Sequence, residues 1–200
     1  MKRLALGYLL VLSMVTAFAA ELPGDSIYRL DVSLQRSDGT IAALSTLRGK
    51  PLLITLFYSQ CSSVCPMVTL RLQDIDRHLS ARARQNMTIL MLSLDPERDS
   101  PQALDTFRKE HHIDDPRWII ARASPSDVRP LAAVLGVRYR QLPDQSFNHS
   151  SLIALTDQDG VIKARLEGVG AAEPAFLRQV QSIAASVRAS PPDRERARLQ

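Results

Sequence analysis

The feature that most narrows the fold lies between Pro51 and Leu79. The run "PLLITLFYS" is almost continuously apolar and has the length of one strand, as expected of a strand covered on both faces of a sheet. It leads at once into "QCSSVCP", after which Val64, Val68, Leu72, Ile75 and Leu79 recur at helical spacing. Pro66 suits the first turn of a helix, where its missing N–H costs nothing. The helix therefore starts near Val64 or Cys65, and Cys61 lies in the loop just before it. The only two thiols of the chain, Cys61 and Cys65, thus sit where a buried strand hands over to a helix.

The remaining segments fit around that unit. "IYRLDVSLQRSDGTIAALSTLRGK" alternates apolar and polar residues about Ser37-Asp38-Gly39, a leading β-hairpin. "MTILMLSLD" is a second buried strand, and Ser100-Pro101 opens a helix reaching about His111, with serine as cap. "PRWIIA" is a short strand. "SPSDVRPLAAVLG" is a helix with Asp127 in capping-box position to Ser124. "SSLIALTDQDGVIKARLEG" is a hairpin turning at Asp159-Gly160, and "EPAFLRQVQSIAASVRA" closes as an amphipathic helix. No internal repeat or linker divides the chain. The expected class is α/β, a mixed central sheet flanked by helices with an N-terminal β-hairpin extension. Paired cysteines between the first core strand and its helix look like a thioredoxin-type fold.

The ends mark the boundaries. "MKRLALGYLLVLSMVTAFAA" has a basic start, an apolar run and Ala17-Phe18-Ala19 as a small-x-small site, the order of a secretory signal peptide over residues 1–19. An uncleaved anchor is the alternative, since Leu4 to Ala20 approaches the roughly 17 residues that can span a bilayer. Either way the domain, residues 25–188, is expected to be exported to the bacterial periplasm, free or attached to the inner membrane. Residues 189–200, ending in "SPPDRERARLQ", read as a charged, disordered tail. Loss of Lys2 and Arg3 with the leader lowers the formal charge of +4 by their two positive charges. No basic stripe with interleaved aromatics remains, which argues against nucleic acid as a partner. The domain is expected to be a monomer.

In an oxidising compartment two cysteines suggest a structural disulfide. A loop of about five residues would gain only roughly 2 kcal/mol from such closure, and a domain of this size has a full core without it. The thiols are better explained by chemistry. At a helix N-terminus the dipole favours thiolate, the form that attacks disulfides and binds metals, while burial opposes it. Three intervening residues leave a redox pair, able to form a disulfide, and a chelating pair equally open.

A third ligand would decide between them, and there are four histidines. His111 and His112 read as solvated helix-end residues, and His78 lies some three turns along the helix from Cys65. His149 differs, because "SFNHSSLIAL" places it in the loop before the strand of the last hairpin. In a thioredoxin-type fold that loop lies beside the cysteines, where redox members carry a cis-proline. Here Asn148-His149-Ser150-Ser151 occupies it. Two thiolates and one imidazole form a soft, low-coordinate set suited to Cu(I), and to Cu(II) with an added ligand, whereas zinc would usually want a fourth ligand.

"FYSQCSSVCPMV", "LSLDPERDSP" and "FNHSSLIALTDQDG" together resemble, in order and spacing, the three signature segments of the SCO/SenC family of copper-binding thioredoxin-like proteins. The resemblance runs from about Asp25 to Val187. It implies that Cys61, Cys65 and His149 bind copper, with Asp95 an acidic neighbour. It also implies help in assembling the binuclear copper centre of cytochrome c oxidase, by copper delivery, by reduction of target cysteines, or by both. The implied partners are subunit II of the oxidase or another copper acceptor, and a thiol reductant or copper donor. Family members commonly carry Pro-Asp between the cysteines. Ser62-Ser63 here removes an acidic group that could serve Cu(II) as an oxygen ligand. In "DPERDSP", Asp99 and Ser100 read as caps for backbone donors.

Three activities therefore stand as expectations. The first is a metallochaperone holding copper on Cys61, Cys65 and His149. The second is a thiol–disulfide reductase in which Cys61 attacks and Cys65 resolves. The third is a thiol peroxidase, which "LSTLRGK" and the leading hairpin would also suit.

Overall fold

A computed structural model describes residues 21–61, 64–170 and 173–187. The expected leader, the tail 189–200 and the Ser62-Ser63 pair lie outside the described residues.

The leading hairpin is β1 (Ser33–Arg36) with β2 (Ile41–Ala43), flanked by 3-10 turns at Ile27–Arg29 and Leu44–Leu47. The apolar run is β3 (Leu52–Phe57), followed by α1 (Val64–His78), a short α2 (Ala81–Asn86) and β4 (Thr88–Ser93). Then come α3 (Pro101–Glu110), β5 (Trp118–Arg122) and α4 (Pro125–Leu135). A small hairpin, β6 (Tyr139–Gln141) and β7 (Phe147–His149), precedes β8 (Leu152–Thr156), β9 (Ile162–Glu167) and α5 (Pro174–Ser186).

Seven strands form one sheet in the order β2-β1-β5-β4-β3-β8-β9, while β6 and β7 pair apart from it. Strands β3, β4 and β5 run parallel, and β8 and β1 flank that trio antiparallel. The mixed sheet is the thioredoxin-like arrangement expected from the element order.

Alternation along β3 explains why it has no polar face. Leu53 and Phe57 pack with Val68, Leu72 and Ile75 of α1, Phe107 of α3 and Val180 of α5. Leu52, Ile54 and Leu56 pack on the opposite side with Ile27, Tyr28 and the apolar residues of α4. Two cores, one on each face of the sheet, hold β3 and β4 at the centre. Their carboxyl ends are where the cysteine loop and the "DPERD" loop emerge, as usual for ligand-binding ends in open parallel sheets.

Three local expectations are corrected. Ser124 caps α4 without a side-chain bond to a backbone N–H, because its Oγ donates instead to the Asp127 carboxylate at 2.7 Å. His111 is not a freely solvated end residue. Its ring lies 4.2 Å from that of Phe107, and burial lowers its pKa. His149 is not in a loop. It ends β7, in register with Tyr139. Neither β6–β7 nor α2 has a strong periodic signal, since the two strands have three residues each and the helix six, under two turns.

Candidate metal centre

The strand–helix junction sets the two thiols. Cys61 N–H donates to the Tyr58 carbonyl at 3.1 Å, closing a turn after β3, and Cys65 N–H donates to Cys61 Sγ at 3.4 Å. A first-turn amide of α1 therefore points at the Cys61 sulfur, as helix N-termini do toward electron-rich partners. The cysteines are not disulfide-bonded. Cys65 is 1% exposed and Cys61 8%, so Cys61 is the outer thiol of the pair.

Strand alternation supplies the imidazole. Phe147 and His149 share the inward face of β7 while Asn148 points out, the two-residue period of a strand. The outcome is a His149 Nε2 to Cys65 Sγ distance of 3.9 Å. The tautomer follows from the other nitrogen. Nδ1 lies 3.2 Å from the Ser150 carbonyl, and a carbonyl can only accept, so Nδ1 carries the proton. Nε2 thus presents its lone pair toward the sulfur, the arrangement that orients metal-binding histidines.

Burial disfavours the charged forms of two of the three groups, Cys65 and His149. Burial pushes the Cys65 thiol far above its ordinary range, reinforced by hydrogen bonding with the Cys61 side chain, while the Tyr58 backbone pulls the other way. Burial also lowers the His149 pKa, opposed by its bond to Ser150. The dipole argument for a thiolate is therefore overridden at Cys65 by desolvation. A soft cation binding there would take the place of the thiol proton.

Ligands at about 2.3 Å for sulfur and about 2.0 Å for nitrogen, the values for a d10 ion such as zinc, stand roughly 3.5–4 Å apart. The Cys65–His149 spacing is of that size. Among the described residues no three His, Cys, Asp or Glu side chains form a ready-made metal site.

Other sequence candidates lie elsewhere. The exposed His78 sits back on the Asp74 carbonyl at 2.8 Å. The Asp95 carboxylate is buried and taken up by Arg98. Asp99 does accept from a backbone donor, and Ser100 Oγ accepts from Ala103 N–H at 3.2 Å as the cap of α3.

Tyr58 and Phe147 were not singled out from the sequence. The Tyr58 ring lies 5.4 Å from Phe147 and 6.1 Å edge-on from His149, and its hydroxyl bonds the Phe147 backbone and the Cys61 side chain. Together they wall the site. The signal was available, because Tyr58 stands three residues before Cys61 at the buried end of the apolar run.

Two thiols at a strand–helix junction, faced by an imidazole on a thioredoxin-like sheet, define the class: a thioredoxin-like protein with a dithiol–imidazole site. The chain belongs to the SCO1/SenC family, whose profile matches residues 23–185. It is 24% identical over 140 residues to a SCO1 protein homolog of Bacillus subtilis, covering 68% of this chain and 72% of that one. Its match to the mitochondrial SCO1 homolog 1 of Arabidopsis thaliana, at 25% identity over 58% of this chain, spans only 34% of the plant protein. Among solved structures, copper-bound ScoI of Bradyrhizobium japonicum superposes with a TM-score of 0.64 at 21% identity, over 78% of this chain and 97% of that one. BsSco, described as a cytochrome c oxidase assembly protein with a disulfide switch, gives 0.66 at 23% identity over 78% and 92%.

Proposed function

We propose that this chain is an exported copper carrier that holds one copper ion on Cys61, Cys65 and His149 and passes it to the binuclear copper site of cytochrome c oxidase. The observation that carries this reading is the lone-pair nitrogen of His149 set 3.9 Å from the Cys65 sulfur. A redox dithiol can work without an imidazole at that point, whereas a three-ligand metal site needs one. A soft donor set of two thiolates and an imidazole favours Cu(I), and copper is what the similar ScoI structure holds. Transfer proceeds by ligand exchange: a thiolate of the acceptor binds first, and the outer Cys61 leaves most readily.

The carrier is the domain of residues 25–188, a monomer directed to the periplasm by its leader, which is either cleaved or kept as an anchor. No helix among the described residues is long and apolar enough to cross a membrane. Titration of the reduced chain with Cu(I) against a competing chelator tests the reading. One copper per chain is expected, bound about tenfold or more weakly by His149→Ala. A stoichiometry near zero, or equal affinity in the variant, overturns it.

A second reading is favoured by the unequal exposure of the thiols. As a reductase, the Cys61 thiolate attacks a target disulfide, and Cys65 then displaces the target thiol from the mixed disulfide. Two electrons pass to the target while Cys61 and Cys65 become disulfide-bonded, and an external dithiol donor restores them. Metal-free protein should then reduce a disulfide substrate in a manner lost in Cys61→Ser and kept in His149→Ala. Absence of disulfide turnover by the reduced, metal-free chain would rule this role out.

A further inference from the structure

We propose that the loop Asp95–Asp99 is a two-armed brace in which Asp99 fixes the cysteine loop and Arg98 fixes the histidine hairpin, making both positioning residues for the dithiol–imidazole site. The consequence for metal rests on the copper reading above, but the brace itself does not.

The first arm is Asp99, which is fully buried. Its carboxylate accepts from Ser59 N–H at 3.3 and 3.2 Å, from Ser59 Oγ, and from Ser93 Oγ at 2.5 Å. Ser59 stands two residues before Cys61, so the grip sets where the cysteine loop leaves β3. The second arm is Arg98. Its Nε donates to the Asp95 carboxylate, its Nη2 to the Gln145 carbonyl and its Nη1 to Gln145 Oε1 at 3.5 Å. Gln145, at φ +65°, lies in the turn between β6 and β7, the hairpin that delivers His149.

The loop that carries both arms is itself rigid. Asp99 N–H and Arg98 N–H both donate to the Asp95 carbonyl, at 2.9 and 3.1 Å, and Asp95 N–H donates to Ser93 Oγ at 2.9 Å. Beta-strand β4 enters the loop and the capped α3 leaves it. Two elements of the central fold therefore anchor one guanidinium and one carboxylate, which reach in different directions to the two halves of the site.

Capping alone does not explain this arrangement. Ser100 already caps α3, and the Asp99 carboxylate, whose pKa burial raises, is an expensive group to hide for a cap. The β6–β7 hairpin is also too short to hold itself. Two strands of three residues are unstable alone. Phe147 packs on Tyr58 and Tyr139 on the opposite core, the Arg138–Ser150 pairing closes the base, and Arg98 ties the far end, the turn at Gln145, to the body of the protein. An imidazole at the end of so short a ribbon needs such a tie to stay in range of a sulfur.

Hydrogen exchange on the reduced, metal-free chain reads the brace without reference to copper. Arg98→Ala is expected to speed exchange across residues 139–149 about tenfold while leaving β3, β4 and β5 unchanged. Arg98→Lys, which can reach only one of its two partners, should fall between. Unchanged hairpin exchange in Arg98→Ala overturns the proposal.

Cu(I) competition then reads positioning. Arg98→Ala should weaken copper binding roughly tenfold, the size seen for groups that orient metal ligands, and should add nothing in a His149→Ala background. A loss of equal size in both backgrounds would mean that Arg98 supports the fold and not the ligand. Asp99→Asn should instead weaken binding in both backgrounds and speed exchange at Ser59–Cys61. The half-buried Arg98 position keeps the test independent of whether the buried Asp99 variant folds. Failure of the wild-type chain to bind copper would refute the copper reading, and hairpin exchange would still decide the brace.

Discussion

Cys65→Ser is expected to abolish stoichiometric copper binding while leaving the chain folded. Cys65 touches both other proposed ligands, through the hydrogen bond of its amide to Cys61 Sγ and the 3.9 Å approach of His149. Removing its sulfur takes a thiolate from the set and removes the atom that His149 Nε2 approaches. The affinity should fall by at least roughly a hundredfold, the upper figure for loss of an outer partner, since a ligand contributes more than the group that orients it. Serine is nearly isosteric, and its hydroxyl has the two thiols' surroundings and the first helical turn to bond with, so the thermal midpoint should move little. Metal content of anaerobically purified protein, together with circular dichroism, checks both halves. The same variant separates the two readings of the dithiol. A reductase lacking its resolving thiol should accumulate the Cys61 mixed disulfide with a target, visible by mass spectrometry. A carrier should show only the loss of copper. Retention of one tightly held copper in Cys65→Ser would remove this thiol from the site.

How far the sequence reaches depends on the length of the signal. β3, α1 and β4 were legible because each repeats its burial pattern over six residues or more, and both faces of β3 are covered. The position of Cys61 before the helix followed from Pro66 alone. His149 was legible as the third member of the set only through the resemblance and the fold, because a lone histidine between polar residues has no period of its own. Its placement in a strand was not legible. β7 is three residues long, and what orders it is the ladder to Tyr139–Gln141 and the Arg98 contact, both remote in sequence. The same holds for Asp95 and Asp99. In "DPERD", Asp95 reads equally as a loop residue or as an acidic neighbour of the site and Asp99 as a cap, and only the fold shows that one carboxylate meets an arginine and the other meets Ser59.

The sequence also says nothing about the ion pair whose breaking should cost the most stability. Arg117 and Asp76 are 41 residues apart, yet Arg117 Nη1 and Nη2 donate to the two Asp76 oxygens at 2.9 Å each. Side-chain exposure is 16% for Arg117 and 8% for Asp76, so solvent does little to replace the pair. The guanidinium also donates to the Arg84 carbonyl at 3.0 Å and to Asp115. It thereby joins the last turns of α1, the end of α2 and the approach to β5. Arg117→Ala would leave the Asp76 carboxylate buried with Arg84 as its remaining partner, at 3.3 Å and from a side chain 42% exposed. Breaking a buried pair on one side costs about 3–5 kcal/mol, and the residual Arg84 contact places this case near the lower figure, about 3 kcal/mol. For a domain of this size each kcal/mol moves the midpoint by about 2–4 °C, so a drop of about 6–12 °C is expected. Arg84→Ala, removing the more exposed partner and sparing the two-point contact, should cost less than about 1 kcal/mol. Urea unfolding of the two variants beside the wild-type chain makes the comparison. Equal small losses would mean that the pair is no more than a surface contact. The expected order, Arg117 well above Arg84, requires that desolvation of Asp76, and not charge counting, sets the energy of this junction.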